Sequence, residues 1–393
     1  MRNILFIYIL VQTFIFASVP DERLVDYQKR YSLCNGKTDI QISHCLLNGN
    51  LNFSRLRGDT YAYRKISRSQ IEKAARNGNI YDFTMSHLPK TKRYTHLKKY
   101  LDHLYAVRKK YTPPEFKGDD AEDIIRMKKV FNLLKLANLR ENSDYTSKFE
   151  AAVLEYQRRH GLEVDGKIGP DTKRHLKTPI SAIITKIKKN LVWESISSPK
   201  GSNYILVNIP EFRMHYYDYG EPVLNMKIVV GKTIMRTPIF NQKMQYIVKN
   251  PRWNVPPSIY AKEYAHKSAA YLQKEGFAYN SEGKLYQKEG PDNALGLVKF
   301  LFPNRYNVYM HDTPAKSLFN RRVRAFSHGC IRLEKPLELL NELGYEYDTD
   351  KNKWVPLERQ IPVYVEYHTV WVDDNGLVQF RDDIYGYERK LFN

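Results

Sequence analysis

Positions 311–314 of the chain read HDTP, and positions 325–333 read AFSHGCIRL. The second stretch contains Cys330, and His311 lies one short loop upstream of it. A cysteine and a histidine are the side chains needed for attack of a thiolate on an acyl carbon. Gly329 permits a tight turn that exposes backbone N–H groups beside Cys330, where they could hold an oxyanion. The two stretches therefore predict acyl transfer through a thioester.

The residues just before HDTP predict a β-strand that ends at the Thr-Pro pair. Val308 and Met310 alternate with Tyr309 and His311, so the first two are expected to point inward and the other two to lie on the opposite face. Asp312 follows His311 and should point away from it. We therefore expect a backbone carbonyl, rather than the Asp312 carboxylate, to orient His311.

His311 and the run SHGCIR at positions 327–332 resemble the signature of the L,D-transpeptidase family. Its members re-join peptidoglycan stem peptides and are sensitive to carbapenems. The wider run 310–336 is similar to the larger Gram-negative members, which cross-link two diaminopimelate residues. Arg332 departs from the asparagine that many members carry, which affects how substrate carboxylates are held.

The resemblance and the residue chemistry together assign roles within this site. Cys330 is the expected nucleophile, and His311 is the base that accepts its proton. His328 is expected to shape the oxyanion pocket or contact substrate, with a structural role as the alternative. Gly329 is the expected backbone oxyanion donor.

Substrate binding is assigned to Ser327 and Arg332. The guanidinium of Arg332 suits a stem-peptide carboxylate, and an ion pair that stabilises the loop is the alternative. No metal or cofactor is expected. A zinc site made of His311, His328 and Cys330 is disfavoured, because one loop would supply two of only three ligands.

The resemblance implies a two-step reaction. Cys330 would attack the diaminopimelate carbonyl of a donor tetrapeptide and expel D-alanine, and the amine of an acceptor stem would resolve the thioester. Resolution by water would instead make an L,D-carboxypeptidase, and the sequence does not separate the two outcomes. A third interpretation is a non-catalytic wall-binding protein. The presence of both Cys330 and His311 argues against it.

The N-terminus predicts export. Residues 1–19 read as a signal peptide, with Arg2 before an apolar run that is short for a membrane span. A periplasmic location follows, and an uncleaved signal would hold the protein at the inner membrane. Cys34 and Cys45 are near neighbours and are predicted to form a disulfide, which leaves Cys330 as the free thiol.

The fold class predicted for the chain is multidomain α+β. Residues 20–118 read as a helical scaffold, and residues 119–180 resemble a small three-helix peptidoglycan-binding domain, for which a plain spacer is the alternative. The β-rich catalytic domain spans 200–368. Its insertion at 256–296 is expected to be a lid, with a surface excursion as the alternative. Residues 369–393 form a C-terminal hairpin and tail.

The amino-acid composition and net charge of the chain indicate which binding partners to expect. The chain has 393 residues, 42% of them hydrophobic, and a formal net charge of +20. The charge is scattered and no nucleic-acid module accompanies it, so nucleic acid is not expected. Peptidoglycan stem peptides and glycan are the expected partners, and a basic surface that merely aids solubility is the alternative. We expect a monomer.

Overall fold

The computed structural model describes residues 19–51, 64–118 and 120–392. The predicted signal peptide lies almost entirely outside these residues. The α-helices are α1 (Glu22–Tyr31), α2 (Asp39–Asn48), α3 (Arg68–Arg76), α4 (Ile80–His87), α5 (Lys92–Val107), α6 (Asp120–Leu133), α7 (Ser147–Arg159), α8 (Pro170–Leu176), α9 (Ile180–Ile196), α10 (Pro257–Ile259), α11 (Ala269–Lys274), α12 (Pro336–Glu342) and α13 (Tyr387–Leu391). A π-helical turn (Tyr260–Tyr264) follows α10, and a 3₁₀ helix spans Lys316–Asn320. In the described ranges, we find no helix that combines the length and the apolar character needed to span a membrane.

The strands are β1 (Tyr204–Asn208), β2 (Arg213–Asp218), β3 (Glu221–Gly231), β4 (Phe240–Lys249), β5 (Trp253–Asn254), β6 (Phe277–Tyr279), β7 (Leu285–Gln287), β8 (Val298–Leu301), β9 (Met310–His311), β10 (Ala325–Ser327), β11 (Ile331–Leu333), β12 (Lys353–Glu366), β13 (Val370–Val372) and β14 (Val378–Phe380). The chain thus combines a helical N-terminal half with a mixed β-sheet domain, which is the predicted α+β class.

The helical half follows local sequence signals. Helix α3 begins at a capping box formed by Ser67 and Gln70. Helix α7 is capped by Thr146, which is extended and whose hydroxyl accepts a hydrogen bond from the Phe149 N–H at 3.3 Å. Pro170 lies at the first turn of α8, as predicted.

The turn between α7 and α8 is organised by the buried side chain of Gln157. Its amide nitrogen donates to Asp165 Oδ1 at 2.9 Å and to the Lys167 carbonyl at 2.8 Å, and its oxygen accepts from the Gly166 N–H at 2.9 Å. Gly166 has φ +71°, which glycine adopts at low cost. These Gly and Asp residues are thus used in the turn itself.

The disulfide predicted between Cys34 and Cys45 is present, with a Cα–Cα distance of 6.0 Å. It joins the segment after α1 to helix α2. Cys330 is the free cysteine among the described residues.

The main sheet closes on itself. Its strand order is β10-β3-β11-β9-β8-β4-β12-β1-β2, and β2 also pairs with β3. Strands β1, β2 and β3 form the predicted antiparallel meander. The strand expected at 363–370 is wrong at its end, because β12 stops at Glu366 and β13 belongs to a separate hairpin. Core residues such as Met310 and Ile331 are fully buried inside this closed sheet.

The insertion between β4 and β8 folds as a small unit. Strands β5, β7 and β6 form a three-stranded sheet, and Val255, Leu272, Phe277 and Leu285 make its core. The helix expected over 258–275 is broken into α10 with its π-helical turn and α11. Strands β4 and β8 are antiparallel neighbours, with Lys249 opposite Val298, so the insertion leaves and re-enters the sheet at one point.

The C-terminal hairpin packs on the helical half instead of extending the catalytic domain. Val370, Val372, Val378 and Phe380 belong to the same buried cluster as the core of the helices. Arg159 of α7 donates through Nε to the Val378 carbonyl at 3.0 Å. The last residues of the chain therefore tie the two halves together.

Candidate active site

The site is built on one face of three adjacent strands. In the parallel pair β9 and β11, Met310 is opposite Ile331 and His311 is opposite Arg332. In the antiparallel pair β8 and β9, Lys299 is opposite His311. Because Met310 and Ile331 point into the core, alternation places His311, Arg332 and Lys299 on the other face. Tyr309 lies two residues before His311, and Cys330 lies two residues before Arg332, so both are on this same face of the sheet.

His311 is held by a backbone carbonyl, as predicted. Its Nδ1 is 2.5 Å from the Asp312 carbonyl oxygen, which can only accept, so Nδ1 carries the proton and Nε2 is left to act as a base. The Asp312 carboxylate is used elsewhere, since Oδ1 accepts from the Thr313 N–H and from Lys316 Nζ, and Oδ2 accepts from the Leu297 N–H. Burial, then the charges of Arg332 and Lys299, lower the pKa of His311 to about 3.

The Cys330 thiol lies beside Tyr309 on the neighbouring strand. Burial raises the pKa of the thiol, while hydrogen bonds to the backbone and the hydroxyl of Tyr309 lower it, as do the charges of Lys299 and Arg332. Its Sγ is 3.8 Å from the Asn307 carbonyl oxygen. The site therefore combines a neutral imidazole with a thiol whose ionised form depends on Tyr309 and nearby cations.

The loop around Cys330 is held by its own hydrogen bonds. The Ser327 hydroxyl donates to the Cys330 carbonyl at 2.6 Å and accepts from the Gly329 N–H at 3.1 Å. Gly329 has φ +118°, a backbone conformation that favours glycine. Ser327 is thus buried and hydrogen-bonded within the loop, and the Gly329 N–H donates to its hydroxyl. The substrate-binding role of Ser327 and the oxyanion role of Gly329 stay predictions.

Comparison with known proteins finds family models that match two parts of the chain. Residues 202–365 match the family model described as "L,D-transpeptidase catalytic domain". Residues 120–176 match the model described as "Putative peptidoglycan binding domain". The chain carries an L,D-transpeptidase catalytic domain.

One curated relative is a Haemophilus influenzae protein named "Putative L,D-transpeptidase", 31% identical over 227 residues. The match covers 49% of this chain and 46% of the relative, so the chain spans about half the relative's length. Among solved structures, an L,D-transpeptidase from Mycobacterium smegmatis is 19% identical, with 44% of this chain and 61% of that chain covered and a TM-score of 0.25. An L,D-transpeptidase from Stackebrandtia nassauensis is 13% identical, covers 65% of this chain and 96% of its own, and has a TM-score of 0.28.

The insertion of the L,D-transpeptidase domain contacts the catalytic loop directly. Glu263, in the π-helical turn, places Oε1 2.6 Å from Nε2 of His328. The sequence gave no sign of this partner, because 65 residues separate the two side chains. The sequence left His328 with an oxyanion or substrate role and a structural role as the alternative, and the contact of its Nε2 with Glu263 fits the structural alternative.

Arg332 lies between the thiol and the insertion. Burial lowers the pKa of its guanidinium, and the charges of Cys330 and Glu263 raise it. Within the described part of the chain, Arg332 forms no ion pair, and its buried Nε has no hydrogen-bond partner. The loop ion pair weighed as an alternative is therefore not formed among these residues.

Tyr385 of the C-terminal tail is linked through Thr237 to the loop that contains Gly329 and Cys330. The Tyr385 hydroxyl donates to the Gly231 carbonyl at 2.5 Å and accepts from the Thr237 N–H at 3.2 Å. Thr237 in turn donates through Oγ1 to the Gly329 carbonyl at 2.8 Å. Sequence reasoning gave the aromatic residues of the tail no role, since nothing local links Tyr385 to a loop more than fifty residues upstream.

Among the residues that the structure describes, no group of three or more His, Cys, Asp or Glu residues is arranged to hold a metal ion.

Proposed function

We propose that the protein is a peptidoglycan L,D-transpeptidase that cross-links diaminopimelate residues of stem peptides through a Cys330 thioester. The observation that carries the proposal is the placement of Cys330 and His311 on one face of neighbouring strands, with His311 Nδ1 fixed by the Asp312 carbonyl. This arrangement lies inside the matched L,D-transpeptidase catalytic domain.

The chemistry proceeds in two halves. The Cys330 S–H bond breaks, the proton passes to Nε2 of His311, and Sγ bonds to the carbonyl carbon of the donor diaminopimelate. Collapse of the tetrahedral intermediate breaks the bond to D-alanine, whose amine takes the proton from His311. The acceptor amine then attacks the thioester carbonyl carbon and gives a proton to Nε2 of His311. The C–S bond breaks as the new amide forms, and His311 returns the proton to the Cys330 sulfur. The Tyr309 hydroxyl, whose interaction with Cys330 lowers the pKa of the thiol, is our proposed donor to the developing oxyanion.

Incubating the purified protein with tetrapeptide muropeptides, followed by mass spectrometry, tests the proposal. Cross-linked dimers with release of D-alanine support it. Trimmed tripeptides without dimers indicate an L,D-carboxypeptidase, and unchanged substrate indicates a wall-binding protein.

Arg332 is the proposed anchor for a stem-peptide carboxylate. We expect Arg332→Met to raise KM for the donor about tenfold to hundredfold, because a charge-assisted hydrogen bond is lost. Arg332→Lys should give a smaller increase, since it keeps the charge and loses the planar pair of donors. Steady-state kinetics at several donor concentrations measure this, and an unchanged KM in the methionine variant would rule the role out.

The insertion is the proposed lid that keeps water from the thioester. Its ends meet at the Lys249–Val298 pair, so residues 252–293 can be replaced by a short glycine-containing turn. We expect cross-linking to fall relative to D-alanine release, while a carbapenem still adds to Cys330. Product ratios and intact mass measure the two effects.

Glu263→Gln is the matched control for this excision, since it weakens the contact with His328 and keeps the insertion. It should give a partial shift in the same direction. A folded excision variant that keeps the parent's product ratio, or that loses the carbapenem adduct, contradicts the lid.

The helical half is proposed to hold the enzyme at the wall, through the unit that matches the peptidoglycan-binding model. A periplasmic location is proposed as well. The Cys34–Cys45 disulfide supports it, because such bonds persist in oxidising compartments.

A further inference from the structure

Lys299 lies in the site although no motif of the sequence marks it. It belongs to β8, outside both the 311–314 and the 325–333 stretches, and pairs across the sheet with His311. Its Nζ is 5.0 Å from the centre of the Tyr309 ring and 5.9 Å from that of Trp354. Tyr309 is the residue whose hydroxyl reaches Cys330. The ammonium of Lys299 therefore lies on the face of the sheet that carries Cys330.

The charge of Lys299 is not neutralised within the protein. None of the described carboxylates forms an ion pair with it and no described acceptor takes a hydrogen bond from it, and its ammonium instead lies near the rings of Tyr309 and Trp354. The two acidic side chains nearest in the site are engaged otherwise: Glu263 is bonded to His328, and Asp312 is paired with Lys316. Side-chain burial lowers the pKa of Lys299, and the charge of Cys330 raises it.

An unpaired, partly buried ammonium is costly, and a methionine of similar length would fill the same space against the two rings. Such an arrangement is typical of functional sites rather than of stabilising cores. The group that would benefit is the thiolate of the half-buried Cys330. The remaining groups around it are Tyr309, Arg332, the neutral His311, and the Glu263–His328 pair on the insertion side.

We propose that the Lys299 ammonium is a fixed counter-charge for the Cys330 thiolate, and so sets how much of the nucleophile is ionised at neutral pH. Before substrate binds, the charges of Arg332 and Lys299 beside His311 disfavour a lasting imidazolium there, so His311 carries the proton only during the reaction and Lys299 supplies the standing positive charge. Lys299 acts on the sulfur through space, as a positioning residue. The inference rests on the proposed function, in which Cys330 is the nucleophile.

The test is the pH dependence of Cys330 alkylation by iodoacetamide, followed by intact mass in the full chain. This reagent is small and neutral, so it does not use the carboxylate-binding groups of the site. Neither His311, with a pKa of about 3, nor Tyr309, whose pKa burial raises well above its usual value, titrates in the range of interest. The profile therefore reports the thiol.

Lys299→Met should shift the alkylation midpoint upward by about one pH unit, and slow alkylation at pH 7 about tenfold, because a nearby positive charge is lost. Lys299→Arg should keep the midpoint near that of the parent. Lys243→Met is the matched control, since Lys243 is an exposed lysine on strand β4, and it should leave the profile unchanged. If the Lys299→Met variant has a lower thermal unfolding midpoint than the parent, Lys299→Gln serves as a second neutral variant.

An unchanged midpoint in a folded neutral variant overturns the inference. So does a variant that changes only KM for the stem peptide, because that result assigns Lys299 to substrate binding. Failure of the proposed function is recognised separately: Cys330→Ala would then still form cross-linked product, whatever the alkylation profile of the Lys299 variants.

Discussion

Cys330→Ala is expected to abolish cross-linking, with a loss of about 10⁴-fold or more in turnover, because no other described group can form the thioester. The fold should survive the change. The loop is held by the Ser327 hydroxyl, the Thr237 hydroxyl and the backbone pairing of β11 with β9, and the thiol takes no part in these contacts. Mass spectrometry of muropeptide products measures the loss, and intact mass after carbapenem treatment should show no adduct.

Thermal unfolding of the Cys330→Ala variant is the control for structure, and its midpoint should stay close to that of the parent. Ser327→Ala offers a contrast, since it removes loop hydrogen bonds and keeps the nucleophile. We expect that variant to lose stability and part of its activity. Product formation above trace levels by a folded Cys330→Ala protein would falsify the assignment of the nucleophile.

His311→Gln is expected to lower kcat/KM about 10³-fold, because glutamine cannot accept the thiol proton or return it to the leaving amine. Glutamine keeps much of the volume and can still donate to the Asp312 carbonyl, so the site should keep its shape. His328→Gln is the matched control. Its ring bonds to Glu263 on the insertion, so we expect a smaller loss in rate and a change in product ratio.

The pH profile gives a second measure of the same roles. Burial and the neighbouring cations depress the pKa of His311 to about 3, so the imidazole is neutral throughout the range from pH 5 to 8. Burial raises the pKa of the Cys330 thiol. The rate of acylation should therefore rise with pH as the thiol ionises, with no fall on the acidic side caused by His311. A loss of acylation centred near pH 6.5 in the parent that disappears in His311→Gln would contradict this assignment.

The short-range signals of the sequence predicted much of the site. Alternation around Met310 predicted the strand that presents His311, and the direction of Asp312 in that strand predicted a carbonyl acceptor. The spacing of Cys34 and Cys45 predicted their disulfide, and with it the free thiol of Cys330. These features depend on residues close together in the chain, where periodicity, caps and turns are encoded.

The sequence by itself predicted the α+β class, a backbone carbonyl as the partner of His311, and the cysteine and histidine that we propose as nucleophile and base. Only the tertiary structure decided which distant elements complete the site. Lys299 enters through the pairing of β8 with β9, Glu263 through the folded insertion, and Tyr385 through a tail that packs behind the catalytic loop. Local propensity carries no information on such partners, because each contact depends on strand register and chain closure over tens to more than a hundred residues.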